Sequence, residues 1–284
     1  MLYIKTLKKL NQRVVVTFHG ADIQIDRSIN YGFRLKKKYN DLFLQVIPMA
    51  DIYFAISNNI INDLKLLRLD KNKIIKIPDA VDFQKVKNIK SKKYKKFTIL
   101  TVGRYAEKKK GFDLIKKISK FLIGKIDFQW VIIGRGTKKL LDQEFFKRNS
   151  KFFKIIDEIK NNSEFIFPNK QLIKYYKSSH VYANLARIES FGITIIEAMA
   201  AFLPVISFST KGGDELVINK KNGLLLKIGD YKKYAENIIL ISKNKKIFNK
   251  IVKFNTKYLS QFDLKKVSYQ TIKIYKDIIN KKSN

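Results

Sequence analysis

Two glutamates, Glu189 and Glu197, frame the stretch Glu-Ser-Phe-Gly-Ile-Thr-Ile-Ile-Glu, which runs on into Ala-Met-Ala-Ala. The first carboxylate precedes a small turn at Gly192. The second falls inside the second turn of the helix that this turn opens. Gly192 lets the backbone approach a ligand closely. The amides from Phe191 to Ile193 and Thr194 stand at a helix N-terminus, where unsatisfied N–H groups and the helix dipole favour an anion. Ile196, Met199, Ala200 and Leu203 recur at i, i+3, i+4 and i+7, so that face goes to the core. Glu197 is then an acid on a helix of apolar and small residues, and such a carboxylate needs hydrogen-bond donors. Ribose hydroxyls would serve. The same residues also read as a loop cap at Glu189 and a solvated helix residue at Glu197, and the segment alone leaves both readings open. Arg104 and Lys110 form a second pair. Both fall between a strand end and a helix start, where two fixed cations could bind a diphosphate and stabilise it as it leaves, without a metal. In a chain with 59 Lys and Arg, the pair also reads as a solvated loop. His19, in His19-Gly20-Ala21-Asp22, ends an apolar run and by itself reads as a hydrogen-bonded loop histidine.

These residues need elements to hold them. Residues 180–185 are a short apolar run, Pro204 closes the helix after Glu197, and 205–208 reads as the next strand. Strand, loop, helix, strand is a piece of a parallel α/β sheet. In such open sheets ligands bind beyond the carboxyl ends of the strands. Upstream, 97–103 and 128–134 read as strands, with a helix between them opened by Lys110-Gly111. A short strand is expected at 164–167, a helix at 171–178, a turn and strand at 222–226, and helices over 231–258 and 263–280. Nearer the start, 13–18, 51–57 and 73–77 read as strands; 34–50 has a helical pattern, and a second helix follows a cap at Ser57 or Asn58. The lysine-rich segment 85–96 lacks an apolar period and reads as an interdomain linker. The expected division is a partial N-terminal domain over 1–88, a C-terminal domain over 89–260, and a last helix over 261–284. Residues 1–11 are too few to supply a preceding βα crossover.

Composition sets limits. A chain of 284 residues, 45% of them apolar, suffices for two domains with real cores. Without cysteine there is no disulfide and no thiolate metal site, and two histidines give no basis for a histidine-rich one. No Asp-x-Asp pair suited to holding a metal between phosphates occurs. No apolar run approaches the roughly 18 residues of a membrane span, and no secretory leader is visible. The net charge of +35 favours anionic partners. The lysines spread along the whole chain, however, and Ile, Asn, Phe and Tyr are abundant too, as under a general compositional bias. With no RNA-binding aromatic motif or zinc finger, specific nucleic-acid binding is not expected. Peripheral attachment to an anionic leaflet is.

Glu-x7-Glu with Phe-Gly after the first glutamate and Ala-Met-Ala after the second resembles the signature of retaining glycosyltransferases of family 4, the glycosyl transferases of group 1. These have a GT-B fold, two Rossmann-like parallel-sheet domains facing a cleft. The resemblance runs from His19 to Asn280 and is strongest over 97–226. It implies a transfer of sugar, with retention, from a nucleotide diphosphate sugar to a hydroxyl acceptor in surface polysaccharide or lipid-linked glycan synthesis. It implies no cofactor and no metal. Val102-Gly103-Arg104 and Lys110-Gly111 match the family's phosphate-binding residues in order and context, which assigns Arg104 and Lys110. Glu197 matches the glutamate expected on the donor ribose. Glu189 matches the one expected near the donor sugar and the developing charge. Phe191, Gly192 and Ile193 would offer backbone amides to phosphate or sugar. His19-Gly20-x-Asp22 resembles the first-domain loop whose histidine faces the donor sugar. Gly134-Arg135-Gly136 resembles the Gly-x-Gly that shapes the base pocket; lacking the third glycine, it is not a dinucleotide fingerprint. The last helix resembles the segment that crosses back to the first domain.

Two departures stand out. The family's first domain normally begins with a strand and a glycine-rich loop, and this sequence reads as starting after them, with that domain shortened and incomplete. Gly212-Gly213-Asp214-Glu215 is also tighter than the usual Gly-Gly-x-x-Glu. The first departure keeps a rival open, a truncated or split transferase that binds nucleotide sugar and needs a missing N-terminal piece. A second rival is a non-catalytic basic module for a membrane or nucleic acid. The expected location is cytoplasmic, with peripheral contact at the inner face of the membrane.

Overall fold

Short runs rich in Val, Ile, Leu and Phe from Phe97 onward line up as one parallel sheet. A parallel sheet is covered on both faces, so its strands carry no polar alternation. The structure, a computed structural model, describes residues 3–159, 168–244 and 258–280. It divides into two compact units, Val81–Asp263 and a second made of Met1–Ala80 with Leu264–Asn284.

In chain order the first unit contributes α1 (Ile4–Lys9), β1 (Val15–Phe18), α2 (Lys37–Val46), β2 (Ile52–Ala55), α3 (Asn58–Leu66) and β3 (Ile74–Lys76). The larger unit contributes α4 (Phe83–Asn88), β4 (Phe97–Val102), α5 (Phe112–Leu122), β5 (Phe128–Ile133), α6 (Glu144–Arg148), β6 (Phe153–Ile156), α7 (Lys170–Ser178), β7 (Val181–Asn184), α8 (Ile193–Ala200), β8 (Val205–Phe208), α9 (Lys211–Leu216), β9 (Gly223–Leu226) and α10 (Tyr231–Lys243). The last helix, α11 (Leu264–Asn280), belongs to the first unit.

The smaller sheet has the order β1-β2-β3, all parallel, with Val15 opposite Ile52 and Tyr53 opposite Ile74. Phe18 meets Phe43 of α2 edge-on at 6.2 Å, and Tyr275 of α11 meets Phe54 of β2 at 5.7 Å. Phe54, Ile77 and Val267 form a small core under α11. Asp51, just before β2, fixes the start of β1. It accepts from the Val14 amide at 2.6 Å and pairs with Lys8 at 3.0 Å and Arg13 at 3.4 Å.

The larger sheet has the order β6-β5-β4-β7-β8-β9. From β4 the chain moves outward to β5 and β6, then returns to the other side of β4 for β7. The order therefore reverses between β4 and β7. That is the switch point at which open α/β sheets bind ligands. Phe112, Ile115, Ile118 and Leu122 of α5 cover one face together with Tyr234 and Ile238 of α10. Each such buried side chain contributes about 1.5–3 kcal/mol. Polar groups inside the sheet are paired across strands: Trp130 Nε1 donates to Thr101 Oγ1 at 3.1 Å, and the Thr101 hydroxyl donates to Ala183 O at 2.9 Å. That chain ties β5, β4 and β7 together beneath the switch point.

Several expectations need correction. The supposed linker over 85–96 contains α4, capped by Asp82, whose Oδ1 accepts from the Lys85 amide at 2.8 Å; Val86 alone on it is buried, too little to show a period. The units divide after Ala80 and Asp263, not at 88 and 260. The segment 34–50 is not one helix: a 3-10 turn at Phe33–Leu35 precedes α2, and another, with Pro48, follows it. β6 was not expected. The strand expected at 164–167 and residues 245–257 of the helix expected over 231–258 lie outside the described residues.

Candidate active site

The loop after β4 carries Arg104 and Lys110, and the loop after β7 carries Glu189. Sequence alone separates them by nearly a third of the chain; the topology makes them neighbours. The Lys110 Nζ lies 2.7 Å from Glu189 Oε2, with both side chains largely shielded. What holds the two loops is Arg187, which no sequence pattern had singled out. Its guanidinium grips Asp113 on α5 with two bonds of 2.7 Å and donates from Nη1 to Lys108 O at 2.6 Å. Its own amide donates to Lys109 O at 2.9 Å. A planar fork with several donors suits this task; a lysine could not make the same set.

Close packing completes the clamp. Gly111, at φ +69°, caps α5, and a Cβ there would come within 2.0 Å of Leu185 O, so only glycine lets the two loops cross. On the other side of β4, a Cβ on Gly134 would lie 2.0 Å from Gly103 O. The Gly103 amide donates to Ile133 O and the Tyr105 amide to Arg135 O, both at 2.9 Å. Gly136 donates to Asp157 Oδ1 at 2.5 Å. The Gly134-Arg135-Gly136 turn is thus bound into the ends of β4, β5 and β6.

The electrostatics are concentrated at the Lys110–Glu189 pair. Lys109 is half-buried, and its ammonium is pushed down to about 8, first by burial, then by Lys110 with Arg104 adding to it, against the pull of Glu189. Arg104 itself is exposed. Lys109 thus feels Lys110, Arg104 and Glu189 together at the end of β4, an excess of positive charge suited to an anion.

Beyond Glu189 the chain turns at Gly192, φ +109°, the N-cap of α8. The first intrahelical bond is from the Ile195 amide to Gly192 O at 2.8 Å, so the amides of Ile193 and Thr194 head the helix. Phe191 is buried and packs edge-on against Phe262 at 5.6 Å. Gly212 donates to Glu189 O at 2.8 Å. A Cβ on it would lie 2.6 Å from both Glu189 O and the Phe191 nitrogen, which is why α9 carries glycine here.

Glu197 is 7% exposed, which rules out the solvated reading. Apolar residues surround it on the same helix, and its Oε2 accepts from the Tyr176 hydroxyl of α7 at 2.7 Å. Burial raises the carboxyl to about 7, while the tyrosine bond pulls it down. Behind both carboxylates stands Tyr182 of β7, fully buried and feeling each of them, its hydroxyl donating to Val102 O at 3.3 Å. Arg104, Lys110, Gly134, Glu189, Phe191, Gly192, Ile193 and Glu197 all belong to the larger unit. His19 lies in the smaller one, at the end of β1. There Asp22 accepts from the amides of His19 and Gly20 at 3.1 and 2.7 Å, and His19 Nδ1 is 3.7 Å from Asp79 Oδ1 with its side chain 64% exposed. Arg187, Asp113, Lys109 and Tyr176 are the site residues that sequence reasoning missed.

Two all-parallel α/β units, one with a phosphate-type site at its switch point, define a GT-B fold. The solved structure of HepE from Anabaena in complex with UDP-glucose has that fold in common with this chain, at a TM-score of 0.77 and 15% identity over 96% of this chain and 75% of that one. The sequence profile described as "Glycosyl transferases group 1" matches residues 82–258, more than half of the chain. The protein belongs to that family. The chain is 23% identical to the N-acetyl-alpha-D-glucosaminyl L-malate synthase of Bacillus anthracis, over 96% of its own length and 70% of the relative's. It is 27% identical to the alpha-monoglucosyldiacylglycerol synthase of Acholeplasma laidlawii, over 65% of its own length and 44% of the relative's. It spans less than half the length of most curated relatives it matches. Among the described residues no group of three or more His, Asp or Glu side chains is placed to hold a metal, and no helix is long and apolar enough to cross a membrane.

Proposed function

We propose that this chain is a retaining, metal-independent glycosyltransferase that moves a sugar from a nucleoside diphosphate sugar to a hydroxyl acceptor. The observation that carries this reading is the grouping, at one switch point, of the Lys110–Glu189 pair, the N-terminus of α8 and the buried Glu197. Each feature suits one part of the donor. Arg104, Lys110 and the amides of Phe191, Gly192 and Ile193 leading into α8 bind the diphosphate. Glu197 accepts from the ribose hydroxyls, and the turn at Gly134 shapes the base pocket. Glu189 holds the sugar, and the family resemblance alone adds His19 to that task. As the bond from the anomeric carbon to the diphosphate oxygen breaks, its electron pair leaves with the diphosphate, and fixed cations stabilise that charge without reorganising. Retention is supported by the family resemblance alone.

The acceptor we assign is a glycan or lipid-linked intermediate at the inner face of a membrane. The diacylglycerol product in the name of the Acholeplasma relative and the net charge of +35 support it. The test is calorimetric titration of wild type and Arg104→Ala/Glu197→Ala with UDP, GDP and ADP, without metal. One nucleotide should bind, and the double variant should lose it. A well-folded wild type that binds none of the three overturns the reading.

A further inference from the structure

Among the described residues, a single group anchors the Glu197 carboxylate. The Tyr176 hydroxyl reaches its Oε2 from α7, the helix packed on α8, and Tyr176 is 1% exposed. A buried tyrosine hydroxyl needs a partner, but a backbone carbonyl would satisfy it. Tyr234 donates to Ile206 O at 2.6 Å and Tyr53 to Ile47 O at 3.0 Å in this way. Tyr176 is directed instead at a buried acid, where it fills one of roughly four lone-pair positions of the carboxylate. The rest of the carboxylate then has a fixed direction. The charged residues of α4 and α9, which also pack on α8, do not move the Glu197 pKa; burial and Tyr176 do, and Tyr182 of β7 feels both this carboxylate and Glu189.

We propose that Tyr176 is a positioning residue for the donor nucleotide: its hydroxyl fixes the Glu197 carboxylate so that the remaining lone pairs accept from both ribose hydroxyls. The inference rests on the donor reading above. Because the bond favours the charged carboxylate, it also sets the pH at which the ribose contact forms.

The test is calorimetry of the full chain with UDP and with 2′,3′-dideoxy-UDP, from about pH 6 to about pH 8, for wild type, Tyr176→Phe and Glu197→Gln. If GDP or ADP is the nucleotide bound, the matching pair is used. Wild type should prefer the ribonucleotide about tenfold or more. That preference should grow as pH rises through about 7, relative to Glu197→Gln, which shares the ligand's own phosphate titration. Tyr176→Phe should lose most of the ribose preference, keep its affinity for the dideoxy form, and move the pH midpoint upward. Glu197→Asp, which draws the carboxylate away from an intact Tyr176, should lose the same preference, and it serves if Tyr176→Phe does not fold. A Tyr176→Phe protein with wild-type ribose preference and midpoint, beside a Glu197→Gln protein that lacks both, overturns the proposal and leaves the donor reading standing. A wild type that binds no nucleotide overturns the donor reading and this proposal with it.

Discussion

Asp51 and Glu197 are both shielded carboxylates, one in each unit, and they are built in opposite ways. Asp51 is met by two cations and a backbone amide. Burial pushes its pKa up, but the Val14 amide, Lys8 and Arg13 outweigh burial and hold it below the ordinary value of 3.8. Among the described residues Glu197 has one neutral donor, Tyr176, and burial wins. The stability each contributes therefore runs in opposite directions with pH. Asp51 stabilises the fold above pH 3.8, and that contribution is lost as pH falls through its lowered folded value. Glu197 costs nothing below 4.5, where it is protonated folded or unfolded, and its cost grows as pH rises to about 7. A carboxylate with a purely structural task is surrounded by donors of the protein's own. One with a single donor from the protein has lone pairs left over, which is what the proposed ribose contact requires.

The sharpest way to break this comparison is Glu197→Gln. It should stabilise the larger unit by about 3 kcal/mol at about pH 8 and by nearly nothing at about pH 4, while nucleotide binding falls. Urea midpoints followed by fluorescence of Trp130, the one tryptophan and a core residue of that unit, report it directly. A flat difference across pH would show that burial does not raise the Glu197 pKa and would overturn the contrast. Next in size is Arg187→Ala, which leaves Asp113 unpaired and frees both loops; it should cost about 1–3 kcal/mol by the same probe and weaken nucleotide binding. Adding Asp113→Ala should recover part of the stability but none of the binding. Asp51→Asn should cost about 1–2 kcal/mol at neutral pH and little in strong acid. Faster hydrogen exchange at the Val14 amide, which Asp51 accepts from, is the readout in the smaller unit. The smallest effect belongs to His19→Ala: exposed and 3.7 Å from Asp79, it should change stability by less than about 0.5 kcal/mol. Its effect should appear in the rate of sugar transfer at unchanged nucleotide affinity.

The strands around the switch point were legible because buried parallel strands are continuous apolar runs; 97–103 and 128–134 each miss the observed strand by one residue, a terminal glycine. β6 was missed because Phe153-Lys154-Ile155-Ile156 follows a 3-10 turn with no glycine or proline to announce it. α4 was hidden by lysines, although Asp82 was a visible cap signal. The site divides the same way. Arg104, Lys110, Glu189 and Glu197 could be found from their order along the chain. The apolar character of α8 on every side, Ile195, Ile196, Ala198 and Met199, was a signal that Glu197 is buried. Arg187 and Tyr176 could not be found, because their roles lie in partners 74 and 21 residues away that no local period connects.

The 2.7 Å contact between Lys110 and Glu189 has one more consequence. Lys110 already has an internal counter-ion, and its ammonium has further N–H donors to offer once Glu189 is satisfied. Under the donor reading proposed above, a diphosphate competes with Glu189 for that ammonium, so the ion pair sets a threshold of charge for any ligand at this loop.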